Sequence, residues 1–264
     1  MRVYLNKQTR GGNMTALITG ASSGIGEAIA RIFVAHSHRV IILARRKAAL
    51  TKLQSALGDL CQSIACDVTD TKSIESALKA LPPSFQNIDV LVNNAGKALG
   101  LSSADKADIR DWEEMVEVNV LALIKLTHLL LPQMVAQGYG HIINIGSIAG
   151  SYSYPGGNVY GATKAFVRRF SLNLRADLYD KNIRVTNIEP GLCGGSEFSL
   201  VRFKGDEAMA KNVYADTTPL MPEDVAQSVL WVASLPQHIN INTLEIMPTI
   251  QAPAALNVHK HTKL

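Results

Sequence analysis

The apolar run Thr15-Ala-Leu-Ile-Thr19 stops at Gly20, and a helical pattern begins at Gly24. That unit of short apolar run, turn and longer helical stretch recurs along the chain. Further apolar runs lie at 39–44, 61–66, 88–92, 141–145, 184–188 and 243–247, with helical stretches over 24–35, up to about 57, 74–81, about 112–137, 160–179 and 222–235. Pro222 suits the first turn of its helix, where a missing N–H costs nothing. The strands are apolar throughout, as parallel strands covered on both faces should be. Strand–helix alternation therefore predicts an α/β protein, a single domain with one doubly wound parallel sheet and helices on both faces. A length of 264 residues is within reach of one such domain. The least regular stretch, 191–205, is long enough for a mobile loop.

The net charge of +4 resides in the ends. Arg2, Lys7 and Arg10 precede residue 14, and Lys260 and Lys263 follow Glu245, so 14–245 carries −1. A nucleic-acid surface is a poor reading of such a balance. The richest apolar stretch, 120–131, is broken by Lys125 and His128, which argues against a membrane span. The basic N-terminus lacks the apolar core of a signal peptide. Cys61, Cys66 and Cys193 form neither an even set nor a C-x-x-C, which suits a reduced intracellular chain and no zinc site.

The first turn reads Thr19-Gly20-Ala21-Ser22-Ser23-Gly24-Ile25-Gly26. Glycine lets a backbone approach a pyrophosphate, and a helix N-terminus offers N–H donors and a positive dipole end. Gly20, Ser22, Ser23, Gly24, Ile25 and Gly26 are thus a candidate dinucleotide cradle, against the plainer alternative of a glycine-rich turn. Chains that bind NAD usually place an acid about 20 residues further on, for the ribose hydroxyl. Here Arg45-Arg46-Lys47 stand there, and no acid lies between Glu27 and Asp59. Cations opening a helix oppose its dipole. A 2′-phosphate held by Arg45 and Arg46 removes that conflict, so NADP(H) is expected over NAD(H), with a solvated basic face as the alternative. At the third strand's end Asp67-Val68 offers a carboxylate to an adenine amino group, or to a turn. Asn93-Asn94-Ala95-Gly96 closes the fourth strand, where ligands of open α/β sheets gather, though paired Asn also fix turns.

Ser147 follows the fifth strand, and thirteen residues later comes Tyr160-Gly-Ala-Thr-Lys164. Four residues make one helical turn, so Tyr160 and Lys164 share a face. A phenol near pKa 10 exchanges protons poorly at pH 7, and a nearby ammonium lowers it. A serine hydroxyl can hold a substrate oxygen and its developing charge. Asn119 interrupts an apolar helix. It either faces solvent, or bends the helix and holds a water beside Lys164.

T-G-x-x-x-G-I-G, N-N-A-G, the helix Asn, the Ser and Y-x-x-x-K, in this order and spacing, resemble the short-chain dehydrogenase/reductase family. The resemblance runs from about Met14 to the last strand. It implies a seven-stranded Rossmann sheet, with Ser147, Tyr160 and Lys164 catalytic and Asn119 completing a tetrad. It further implies Lys164 on the nicotinamide ribose. The loop Pro190-Gly191-Leu192-Cys193-Gly194-Gly195-Ser196-Glu197-Phe198 would lie beside the nicotinamide.

Segments 156–167, 189–198, 201–205, 240–245 and 256–260 are similar to bacterial NADP-dependent 3-hydroxy acid dehydrogenases. This implies NADP-dependent oxidation of serine, allo-threonine and related small 3-hydroxy acids, reduction of malonic semialdehyde, a homotetramer and a cytoplasmic location. Cys193 stands where that group more often has Val, and Ser196 where Thr is usual, which leaves fine specificity open. Residues 1–13 fall outside the resemblance, leaving 14–251 as the catalytic domain and 252–264 as a tail suited to a subunit interface. A small hydroxy acid needs a cation for its carboxylate. Arg202 can supply a bidentate one, unless it is a solvated loop cation. A reductase of 3-oxoacyl thioesters or of hydrophobic ketones is the rival on the same scaffold. A non-catalytic NADP(H)-binding regulator would not need Asn119, Ser147, Tyr160 and Lys164 together.

Overall fold

In this computed structural model residues 13–252 are described. Seven strands form one sheet: β1 (Thr15–Thr19), β2 (Arg39–Ala44), β3 (Cys61–Ala65), β4 (Val90–Asn93), β5 (Gly140–Ile145), β6 (Ile183–Pro190) and β7 (Thr243–Ile246). Their order is β3-β2-β1-β4-β5-β6-β7 and every pairing is parallel. The expected extension over 1–13 and tail over 252–264 lie, but for residues 13 and 252, outside the described residues.

Alternate residues of β1 to β6 feed two cores, which is why the central runs are apolar throughout. Ile18, Ile42, Val92 and Ile143 meet Ile29 and Phe33 of α1 (Gly24–Ala35) and Val229 and Leu230 of α10 (Pro222–Ser234). On the other face, Leu17, Ile41, Leu91 and Ile142 meet Ile74 of α3 (Thr71–Lys79) and Leu126, Leu130 and Met134 of α6 (Ala122–Gln137). Leu174 of α7 (Asn158–Asp177) completes that layer. Burying one such side chain contributes about 1.5–3 kcal/mol.

The expected boundaries shift where caps decide them. Helix α3 begins at Thr71 rather than 74, because the Asp70 side chain accepts from Ser73 N at 3.1 Å. The helix expected over 112–137 starts earlier, as α5 (Ile109–Val116) behind Asp108, whose carboxylate accepts from Arg110 N. A π-helical turn over Glu117–Leu121, with Asn119 inside it, joins α5 to α6. By length and apolarity alone Ile109–Gln137 could cross a membrane. Here Met115, Leu126, Leu130 and Met134 of that helix are buried in the cores.

One expectation fails. The stretch 191–205 is not irregular throughout. It winds into α8 (Phe198–Arg202), and α9 (Glu207–Asn212) follows. Tertiary contacts support this short helix: the Phe198 ring lies 5.9 Å from that of Tyr160, and the Ser199 hydroxyl shares a 2.7 Å hydrogen bond with Tyr214. Two minor helices, α2 (Lys47–Leu57) and α4 (Pro83–Gln86), complete the set.

Candidate active site

From β1 the chain steps outward to β2 and β3, then crosses back from β3 to place β4 on the other side of β1. Such a reversal opens a crevice at the carboxyl ends of the strands, where α/β sheets bind ligands. Here the crevice is a cleft of about 770 Å³, with the glycine turn after β1 and Asn94 after β4 on its walls. Asn94 ties the two walls: its Nδ2 donates to Thr19 O at 2.9 Å, and its N–H donates to the Thr19 hydroxyl at 3.0 Å. Close approach explains the glycine. A Cβ on Gly20, whose φ is +66°, would stand 2.9 Å from Ala95 Cα.

The N-terminus of α1 opens into this cleft. Ser23 makes no side-chain cap; its hydroxyl accepts instead from Arg46 Nη2 at 2.7 Å. The first N–H groups of a helix have no partner inside it, so this end can hold an anion. Arg46 folds over the turn, reaching the Ser22 hydroxyl at 3.1 Å and the carboxylate of Glu197 at 2.8 Å. Arg45 points elsewhere, 3.8 Å from Asp67. Asp67 takes its turn role, accepting from the N–H and hydroxyl of Thr69 at 2.9 and 2.8 Å, while still lining the cleft. Val68, Ala95 and Gly96 line it too, as do Pro190, Gly191, Leu192, Cys193 and Ser196. Burial pushes the Cys193 thiol up to about 11, so it stays neutral.

At the other end lie Ser147, Tyr160 and Lys164. Ser147 starts the turn after β5, its hydroxyl accepting from Ala149 N at 3.1 Å and near enough to the Tyr160 phenol to favour its ionised form. Tyr160 and Lys164 project one helical turn apart from α7, each 7% exposed. Lys164 Nζ donates to Ile145 O at 2.8 Å and sits 5.9 Å from the centre of the Tyr160 ring. Burial pushes Tyr160 up to about 12, opposed by the Ser147 hydroxyl, reinforced by Tyr154 and opposed again by the charge of Arg202. Burial also brings Lys164 down to about 8. At neutral pH the pair is therefore a protonated phenol beside an ammonium.

Four expected residues stand outside the cleft wall. Gly26 packs beneath the turn, where a Cβ would meet Gly20 O at 2.6 Å. Gly194 and Gly195 turn toward Pro219 and Met221 instead. Asn119 is buried behind the cleft rather than facing solvent. Its Oδ1 accepts from Lys97 N at 2.9 Å, and its Nδ2 donates to Lys97 O at 2.8 Å and Thr163 Oγ1 at 3.0 Å. It braces the π-turn against the loop after β4 and against α7.

Arg202, the last residue of α8, enters the cleft. Its Nη2 donates to Tyr154 Oη at 2.6 Å, and its Cζ lies 5.3 Å from the centre of the Tyr160 ring. Lys204 stays out of the cleft wall, paired with Asp111 at 2.8 Å. Tyr154 escapes sequence reasoning. It stands in a loop without periodicity, and only its position before Pro155-Gly156 marks a turn.

Sheet order, switch-point cleft and glycine turn define a dinucleotide-binding α/β protein. The chain belongs to the short chain dehydrogenase family, whose pattern matches residues 14–201. It is 55% identical over 247 residues to the NADP-dependent 3-hydroxy acid dehydrogenase YdfG of Escherichia coli O157:H7, covering 94% of this chain and 100% of that one. It is 48% identical to the serine 3-dehydrogenase of Agrobacterium fabrum, over 94% of this chain and 99% of that one. Among solved structures it resembles the closed form of a serine dehydrogenase complexed with NADP+, with a TM-score of 0.93 and 54% identity. That likeness covers 94% of this chain and 100% of the other.

Proposed function

We propose that this chain is an NADP-dependent dehydrogenase of small 3-hydroxy acids, such as serine, allo-threonine and 3-hydroxypropionate, and reduces the corresponding 3-oxo acids. Relatives named for NADP-dependent 3-hydroxy acid and serine dehydrogenation support the reading. One observation carries it beyond the family: the guanidinium of Arg202, 5.3 Å from the centre of the Tyr160 ring in the same cleft. A cation beside the proton-transfer group suits a substrate whose carboxylate lies two bonds from the reacting carbon.

The donor set fits NADP(H). Arg46, Ser22 and Ser23 would hold the 2′-phosphate, with Arg45 and Asp67 at the adenine end. The N–H groups opening α1 would face the pyrophosphate, and Lys164 would bind the nicotinamide ribose. Asn94, Ala95 and Gly96 line the same wall, and the segment from Pro190 to Phe198 would cover the nicotinamide. When bound, the cofactor supplies the hydride of the reduction and takes it back in oxidation. In reduction the Tyr160 phenol gives its proton to the carbonyl oxygen as charge develops there. The Ser147 hydroxyl donates to that oxygen and fixes the carbonyl. Lys164 stabilises the resulting phenolate, and Asn119 holds the helix that positions this set. In oxidation the phenolate takes the hydroxyl proton. Positioned proton transfer of this kind contributes roughly 10²–10⁴-fold.

The catalytic unit is 14–251, working as a homotetramer in the cytoplasm. The three cysteines are free, as a reducing compartment would keep them. Initial rates with NADP+ and NAD+ test the reading on serine, allo-threonine, 3-hydroxypropionate and a 3-hydroxyacyl thioester. Turnover of the free acids with NADP+ is expected, and Arg202→Ala should raise KM for the acids more than for NADP+. Turnover of the thioester alone would move the substrate to the acyl class and discard Arg202 as its anchor.

A further inference from the structure

We infer that Arg202 is a second cation set against the Tyr160 phenol, held there by Tyr154, and so serves proton transfer as well as substrate binding. The inference rests on reading Tyr160 as the proton-transfer residue, and it concerns a role beyond grip on a carboxylate.

The placement is built from several elements. Arg202 Nη2 donates to Tyr154 Oη at 2.6 Å, and its Nε donates to Gly100 O at 3.4 Å. Gly100 N returns a bond to Arg202 O at 2.9 Å. The guanidinium is enclosed by rings, with Cζ 5.7 Å from the centre of Tyr154, 6.0 Å from Phe198 and 5.3 Å from Tyr160. A cation within about 6 Å of an aromatic face is attracted to it, and more so once the phenol carries negative charge.

The other groups around Tyr160 leave this role open. Lys164, on its own helix, is 5.9 Å from the ring centre, a little further than Arg202. Ser147 and Tyr154 are the other polar neighbours. The loop after β4 presents Ala98 and α5 presents Met115, neither of which carries charge. Lys164, brought down to about 8 by burial, loses its charge as pH rises toward the range in which a phenol ionises. A guanidinium keeps its charge throughout. In the oxidation direction, which needs the phenolate, Arg202 is thus the cation that persists. A substrate carboxylate bound to Arg202 would offset part of that charge, so carboxylate binding and phenol acidity are coupled.

The test uses the full chain with saturating NADP+ and 1,3-propanediol, which carries the reacting hydroxyl but no carboxylate. kcat/KM for oxidation is followed from about pH 7 to about pH 10, where the rate tracks the phenolate fraction. An opposite charge within about 4–6 Å shifts a pKa by one unit or more, so Arg202→Gln should oxidise the diol about tenfold more slowly at the low end. With the phenol at about 12 the deficit should hold near tenfold across this range, and the phenolate titration of the variant should move up by about one unit. Arg202→Lys should recover much of the loss. Tyr154→Phe, which keeps the guanidinium but loses its acceptor, should show the same deficit and the same shift of the phenol in weaker form. Near-ultraviolet phenolate absorbance, taken as the difference from the matching Tyr160→Phe protein, makes the same comparison without turnover. No deficit, or a Tyr160 phenol that titrates at the same pH in the Arg202→Gln and wild-type proteins, overturns the inference. Failure of wild-type protein to oxidise any 3-hydroxy acid with NADP+ would instead sink the proposed function, leaving the phenol measurement to stand on its own.

Discussion

At the scale of single residues, Arg46 joins three parts of the chain. It donates to the hydroxyls of Ser22 and Ser23 and pairs with Glu197, which arrives from the far side of the cleft. Arg46 and Glu197 are both about half exposed, so their ion pair contributes little to stability, about 0–1 kcal/mol. On the proposed reading its value lies in holding the 2′-phosphate. A charge-assisted hydrogen bond contributes about 1.5–3 kcal/mol, and 1.4 kcal/mol is tenfold. Arg46→Ala should therefore lower kcat/KM with NADP+ by roughly 10–100-fold, leave NAD+ nearly unchanged and barely move the melting temperature. Steady-state kinetics with both cofactors check this, and an equal loss for both would remove Arg46 from 2′-phosphate selection. The Arg45-Arg46-Lys47 cluster was readable in sequence as a phosphate site. That the two arginines would part, one to Asp67 and one over the glycine turn, was not, because it depends on where β3 and the Glu197 segment come to lie.

At the scale of elements, the β1–α1 turn works by close packing. Gly26 has no Cβ because one would meet Gly20 O at 2.6 Å and Asn94 Nδ2 at 2.7 Å. Alanine gains about 1 kcal/mol over glycine in a helix, but overpacking costs about 1–3 kcal/mol and would press Asn94 off Thr19. Gly26→Ala should lower the melting temperature and weaken NADP+ binding by tenfold or more. Gly58 offers the control: its φ is +68° but nothing lies within 4 Å of its missing Cβ. Gly58→Ala should cost only the positive-φ backbone, which at ψ −149° lies in a region essentially reserved for glycine, about 1–3 kcal/mol, and leave cofactor binding intact. Calorimetry and cofactor titration on both variants separate packing from conformation. If Gly26→Ala bound NADP+ normally, the turn would not be held as described. The glycine spacing was plain in the sequence. The partner it packs against, Asn94, follows β4, 68 residues beyond Gly26.

At the scale of the whole molecule, the sheet buries polar groups away from the cleft. His141 of β5 is 2% exposed and shares a 2.8 Å hydrogen bond with Thr186 of β6. Burial, with the charge of Arg184 adding to it, holds His141 well below its ordinary value of 6.5. The unfolded chain then binds a proton below pH 6.5 that the folded chain refuses, so stability falls as pH drops through that value and recovers above it. The slope from this one group is at most about 1.4 kcal/mol per pH unit. Urea melts at pH 7.5 and pH 5 should show His141→Gln losing less stability on acidification than the wild type. Parallel losses in the two proteins would clear His141 of the effect.

Sequence by itself determined what depends on local spacing. Runs apolar at nearly every position specified parallel strands covered on both faces, one helical turn set Tyr160 above Lys164, and the glycines marked the turn that opens toward the cleft. Tertiary structure alone decided the rest. The π-turn around Asn119, the winding of α8 inside a stretch that reads as loop, and Tyr154 holding Arg202 over Tyr160 are all products of long-range contact. The Arg202 bonds close spans of 48 and 102 residues. Local propensity is blind to such spans: whether a five-residue segment winds into a helix or stays open is settled by the surface it lands on, and that surface exists only once the sheet has assembled.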